Sequence, residues 1–232
     1  MAYQPQQRKN QKHTNDDQKH TSNQKHTSDQ KHTNDQKWNV DVIEHVDATG
    51  SMLLYERYEG IVTLADINHG DRYKVPCEGC PKYGKNLSCP PYSPSFLHYI
   101  QGAHAARVIC LRVPTGYFEF IEERYRSCFR MARDLLVNDL LKQREAGYLV
   151  AGSGACSACK VCAVEEGDQS CKKPMERIYS LESLGVNVIS LVKRCFDIDL
   201  AWSGTDYIAD FVSAVGAVFL PQGNTGAGAI GQ

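Results

Sequence analysis

The sequence predicts an α/β domain, with α+β as the alternative class: a small mixed sheet with flanking helices and two cysteine-rich metal-binding loops. Three observations predict it. The apolar run at 106–113 reads as a central strand, residues 118–146 as a long helix and 148–151 as a short strand, an order that resembles a βαβ unit. Four cysteines then follow the second strand, where α/β proteins commonly place a cofactor loop. Three more follow an earlier strand and turn, between Cys77 and Cys89.

Taken in order, residues 11–37 are an internal repeat, QKHTNDD, QKHTSN, QKHTSD, QKHTND and QK. The units hold no large apolar residue, so nothing offsets the entropy of ordering them, and residues 1–37 are expected to be a disordered tail. His13, His20, His26 and His32 suggest metal scavenging, but their spacing of six or seven places no two as a preformed chelate. The tail carries seven Lys/Arg and four Asp, +3, so the rest of a chain with net charge −1 carries −4. A mildly acidic domain argues against nucleic acid as a partner.

From Trp38 the composition becomes globular, and one domain is expected over 38–220, followed by a flexible Gly-rich end over 221–232. Val40, Val42 and Ile43 begin an extended stretch, Ser51 to Leu54 carry no clear signal, and 61–65 reads as a strand closed by the turn at His69, Gly70 and Asp71. Ser93 and Pro94 offer a cap and first turn for a short helix that buries Phe96, Leu97 and Ile100 and stops at Gly102. In the long helix Phe118, Ile121, Tyr125, Cys128, Ala132 and Leu135 recur at three and four, and Gly147 stands at the stop. Leu181, Leu184, Val188 and Val192 suggest helical packing interrupted at Gly185, and a final strand lies within 206–220.

The chemistry lies in the cysteines. Cys156, Cys159, Cys162 and Cys171 form C-x2-C-x2-C-x8-C-x2-P, closed by Pro174. Three thiolates two residues apart crowd one tetrahedral zinc but wrap the corners of an iron–sulfur cube, and the bacterial ferredoxin run has the same opening spacing. A [4Fe–4S] cluster is therefore expected here, with zinc as the alternative. Cys77, Cys80 and Cys89 form C-x2-C-x8-C before Pro90 and Pro91, one thiolate short of a closed site. Either a remote cysteine (Cys110, Cys128 or Cys195) completes it, or the fourth position takes a non-cysteine ligand or stays open to substrate. A zinc ribbon built on Cys77 and Cys80 with a distant pair is the alternative to a second cluster. Cys110 and Cys128 fall on apolar faces and read as packing residues, while Lys193 and Arg194 could lower the pKa of Cys195.

Other motifs fail. Gly152-x-Gly154 lacks the third glycine of a dinucleotide fingerprint, and no phosphate loop, H-E-x-x-H or C-x3-C-x2-C occurs. No apolar leader and no membrane-length apolar run is present, so the expectation is a cytoplasmic protein off the membrane, with reduced thiols serving metal or catalysis.

Together, Cys77-x2-Cys80, Cys89-Pro90-Pro91, the AGSGACSACKVCA segment, Cys171-x2-Pro174 and SLESLGVNV resemble a cysteine-rich family of predicted metal-binding proteins, domain of unknown function 2284, over about residues 60–220. The resemblance implies a soluble protein of the kind found mainly in anaerobic bacteria and archaea. It implies Cys77, Cys80, Cys89, Cys156, Cys159, Cys162 and Cys171 as metal ligands and supplies no reaction. Three functions then compete: an iron–sulfur oxidoreductase or sulfur-transfer enzyme acting on a small-molecule substrate with a redox partner protein; a non-catalytic electron carrier or cluster-handling partner; and a zinc-stabilised interaction module.

Overall fold

A computed structural model describes residues 38–46, 52–117, 121–201 and 209–221; the repeat tail and the Gly-rich end after Pro221 lie outside them. The strands are β1 (Trp38–Val46), β2 (Met52–Thr63), β3 (Ala103–Pro114), β4 (Leu149–Gly152), β5 (Tyr179–Ser180) and β6 (Phe211–Pro221). They form one mixed sheet in the order β1-β2-β3-β6-β4-β5, as the predicted class requires. The β1–β2, β2–β3, β3–β6 and β6–β4 pairs are antiparallel, and β4–β5 is parallel.

The expected strand–helix–strand unit exists, but split. Helix α3 (Ile121–Glu145) carries the chain from β3 to β4, and β6 inserts between those two strands, pairing antiparallel with both. No local pattern reveals this insertion, because β6 lies about sixty residues beyond β4. Strand 61–65 proves to be the end of the longer β2, whose unassigned start pairs with β1 through Leu53 and His45. Residues 64–66 form a 3₁₀ turn instead.

Period-two alternation divides the core into two layers. On β3, Ile109, Leu111 and Val113 face α3, together with Val212, Ala214 and Val218 of β6. Cys128, Ala132, Leu136 and Leu140 meet them as a strict i, i+4 stripe, so Leu136 rather than the expected Leu135 holds the centre. Phe118 lies outside the described residues. Ala106, Val108 and Cys110 face the opposite layer with Val215, Ala217 and Phe219. That layer is roofed by α4 (Val188–Phe196) and by the irregular segments that carry the cysteines.

Three local expectations are corrected there. The short helix, α2, is Phe96–Tyr99, capped by Ser95, whose hydroxyl accepts from the His98 N–H. Ser93 instead donates to the Ser183 carbonyl at 2.7 Å, tying two loops together, and Leu97 is exposed while Phe96 and Ile100 are buried. Leu181 and Leu184 sit in turns; the helix begins only after Asn187, whose side chain accepts from the Ser190 N–H.

Candidate metal centre

The first cysteine group is set on a tight turn. Cys77 lies in the one-turn helix α1 (Val75–Glu78), with Pro76 in its first turn, where a missing N–H costs nothing. Cys80 N–H then donates to Cys77 O at 2.9 Å, and Tyr83 N–H to Cys80 O at 3.0 Å, winding the chain around a centre. Cys89 N–H donates to Asn86 O, and Gly84 N–H to Pro90 O, both at 2.9 Å, which closes the loop. Cys80 is exposed, Cys77 half-buried and Cys89 buried. Pro90 shields the inner side, while Pro91, across a cis peptide bond, faces outward. Burial, the negative charge of Glu182 and that of Cys80 raise the Cys77 thiol pKa, with Lys74 opposing them. Burial likewise pushes Cys89 up to about 11. Such thiols hold their protons until a cation displaces them.

The second group leaves the sheet at the carboxyl end of β4. Cys156, Cys159, Cys162 and Cys171 all line one small cavity, with Lys172 and Arg177 in the same wall. Each is half-buried. Two positive side chains beside four thiolates favour an anionic centre.

The two loops are stitched together by three consecutive residues of the first. Asn86 Nδ2 donates to Cys156 O at 3.0 Å, and Cys156 N–H donates to Ser88 Oγ at 2.9 Å. Ser88, through both N–H (3.0 Å) and hydroxyl (2.8 Å), donates to Asn86 Oδ1. Between them, Leu87 N–H donates to Cys162 Sγ at 3.3 Å. Asn86 and Ser88 are both buried, so the network is satisfied where an unpaired group would be costly. An N–H aimed at a thiolate sulfur is one of the contacts that tune a cysteine-ligated metal.

A cavity of about 210 Å³ opens beside the first group. Cys77, Cys80, Cys89 and Pro90 line it together with Phe129, Ser153 and Glu182. Its floor lies past the carboxyl ends of the parallel pair β4–β5, the position ligands favour in sheets of this kind. Glu182 is a residue that the sequence reading left without a role, although it lies within SLESLGVNV. The residue as a whole keeps partial exposure, yet its Oε2 is out of reach of solvent and has no hydrogen-bond partner among the described residues. Burial raises its pKa, against the pull of its own N–H and the Ser180 hydroxyl.

The turn carrying Glu182 is firmly held. Leu181 N–H donates to Gly152 O and Gly185 N–H to Glu182 O, each at 2.9 Å, and Ser183 O accepts from Ser93. Gly70 N–H donates to Gly185 O at 2.8 Å, beside the His69–Val186 bridge. Gly185 has φ +87°, and a Cβ there would stand 2.9 Å from Gly70 O, so both conformation and proximity demand glycine. This turn thus locks Glu182 to the segment that leads into Cys77.

The three remaining cysteines lie elsewhere. Cys110 packs in the layer roofed by α4 and Cys128 in the layer against α3, as expected of packing residues. Cys195 packs at the edge of the first layer, and burial pushes it up to about 11, outweighing Arg194; the expected lowering is not found. None of the three lines either cysteine cavity. At pH 8 a thiol of pKa about 11 has about 100-fold less thiolate than an ordinary one of 9.0. With Cys110 and Cys128 also fully buried, a thiol reagent is expected to leave Cys110, Cys128 and Cys195 unmodified in the folded, metal-loaded protein and to modify all three in denaturant. Rapid native-state labelling of any of them, located by peptide mapping, would contradict this placement. Because folding raises the Cys110 pKa to about 12, stability present below pH 9.0 declines as the pH climbs toward 12.

Among the described residues, no three His, Cys, Asp or Glu side chains form a ready-made group around a single metal ion. The fold brings together two sets of thiols, each lining its own cavity. No described helix is long and apolar enough to cross a membrane. Residues 60–220 match the model of a family described as "Predicted metal-binding protein (DUF2284)". No curated protein and no solved structure matches the chain.

Proposed function

Since the chain belongs to this family of predicted metal-binding proteins, we propose that it is an iron–sulfur redox protein with two adjoining centres. Cys156, Cys159, Cys162 and Cys171 hold a [4Fe–4S] cluster that exchanges electrons with a partner protein. Cys77, Cys80 and Cys89 hold a second cluster at the wall of the 210 Å³ cavity, where a small-molecule substrate binds. The observation that carries this reading is the seam of Asn86, Leu87 and Ser88, which joins the two loops directly and puts Cys89 within electrostatic reach of Cys156. When bound, such centres supply one-electron transfer, and an iron short of thiolate ligands supplies a Lewis-acidic position.

The chain's own residues have separable duties in this scheme. Lys172 and Arg177 offset the charge of the first-named cluster, and Leu87 N–H holds the Cys162 sulfur in place. Phe129, Val188 and Pro90 keep the substrate cavity largely apolar, limiting the access of water to the reacting position. A carrier that only relays electrons needs no cavity of this size beside its metal.

Anaerobic purification with iron, acid-labile sulfide and zinc counted per chain tests the proposal. About eight iron and eight sulfide with broad visible absorption is the expected result. About four iron would reduce the reading to a single cluster. Colourless protein holding one or two zinc ions would overturn it in favour of a structural, partner-binding role.

A further inference from the structure

We infer that Glu182 is the missing fourth donor of the Cys77, Cys80 and Cys89 centre, binding one iron of the cluster proposed there through the carboxylate oxygen Oε2. The inference rests on the reading of those three cysteines as metal ligands. Three thiolates leave a four-position site one ligand short, and three remote cysteines compete to complete it. Cys110 is enclosed between β3 and its roof, Cys128 lies beneath α3 on the opposite side of the sheet, and Cys195 packs beside α4's own core face. Glu182 shares the cavity wall with all three ligand cysteines.

Its chemistry is that of a ligand awaiting a cation. A buried carboxylate oxygen with no partner among the described residues is costly, and folds keep such groups where an ion completes them. A cation held by the three cysteines in the cavity that Glu182 also lines would supply the missing partner. Position is not left to chance either. The Glu182 turn is pinned to Gly152 at the foot of the second loop, to Ser93 just past Cys89, and to Gly70 just before α1. All three anchors belong to segments that carry or adjoin the cysteines, so the carboxylate is oriented by the loops it would bridge.

A carboxylate donor differs from a thiolate in one consequential way. Hard oxygen holds a soft, thiolate-rich metal site less tightly than sulfur does. The Glu182 position is therefore the exchangeable corner of the centre, on a cavity that all four side chains line.

The test compares wild type with Glu182→Gln, Glu182→Cys and the triple variant Cys77→Ser/Cys80→Ser/Cys89→Ser, all purified anaerobically, using metal analysis and paramagnetic resonance. Glutamine keeps the shape and removes the anionic donor, and cysteine replaces it with a stronger one. In wild type, brief oxidation is expected to release one iron from this centre and leave the signal of a three-iron cluster. In Glu182→Gln that iron should be bound more weakly by on the order of 10- to 100-fold, and in Glu182→Cys it should be retained. Circular dichroism of each variant reports whether it is folded, and Glu182→Cys keeps the test decisive if Glu182→Gln is not. Iron content and signal identical to wild type in both folded Glu182 variants would overturn the assignment while leaving the centre intact. A triple variant with unchanged metal content would show instead that no metal sits there, removing the assignment together with the reading beneath it.

Discussion

Cys162→Ser is expected to halve the iron and sulfide content, from about eight of each per chain to about four, with a matching loss of visible absorption. Serine keeps the size of the side chain but puts a weakly acidic hydroxyl where a thiolate must bind. Cys162 is the informative choice within its group because its sulfur receives the Leu87 N–H across the seam between the two loops. On the proposed reading its loss removes a ligand from one centre and a contact between the two loops. The remaining iron, held by the Cys77 group, should therefore show an altered resonance signal even though its own ligands are unchanged. Full retention of iron in the purified variant would exclude Cys162 as a ligand. Retention of four irons with an unaltered signal would show that the seam does not couple the sites.

The second large effect is mechanical. Phe96→Ala is expected to cost about 3–5 kcal/mol of stability, a fall in midpoint of roughly 6–20 °C for a domain of this size. Phe96 is 1 % exposed, stands edge-on to Phe219 at 5.9 Å, and contacts His69 at 5.0 Å. It thus clamps the segment after Cys89 onto β6 and onto the turn before Cys77. The next anchor, Tyr99, donates from its hydroxyl to Val150 O at 2.7 Å and packs against Tyr179. Without Phe96 the first cysteine loop loses an apolar hold on the sheet. Denaturant unfolding of the metal-loaded proteins measures the loss, and iron release under chelator should accelerate with it. A change below about 1 kcal/mol would mean that the loop is held by its hydrogen bonds and metal instead of by this ring.

Much of this molecule was legible along the chain. The β3 run and the α3 periodicity were readable because each expresses a local period, and the two cysteine groups were readable because their spacing is itself a sequence property. Capping was less so: Ser93 and Ser95 are both competent caps, and only the pull of the Ser183 carbonyl on Ser93 left Ser95 to serve the helix. Leu181 and Leu184 carried a helical spacing that the turn around Gly185 overrides, since hydrogen bonds to Gly152 and Gly70 favour the tighter path.

By itself, then, the sequence determined membership of a predicted metal-binding family, the grouping of the cysteines and the class of the fold, all of which follow from residue type and near-neighbour spacing. Tertiary structure alone decided three things: that β6 divides β3 from β4, that the two cysteine loops meet along Asn86–Ser88, and that Glu182 lines the same cavity as Cys77 from about a hundred residues away. Each is a contact between distant segments, and its energy comes from burial and hydrogen bonding that exist only once the whole sheet has closed.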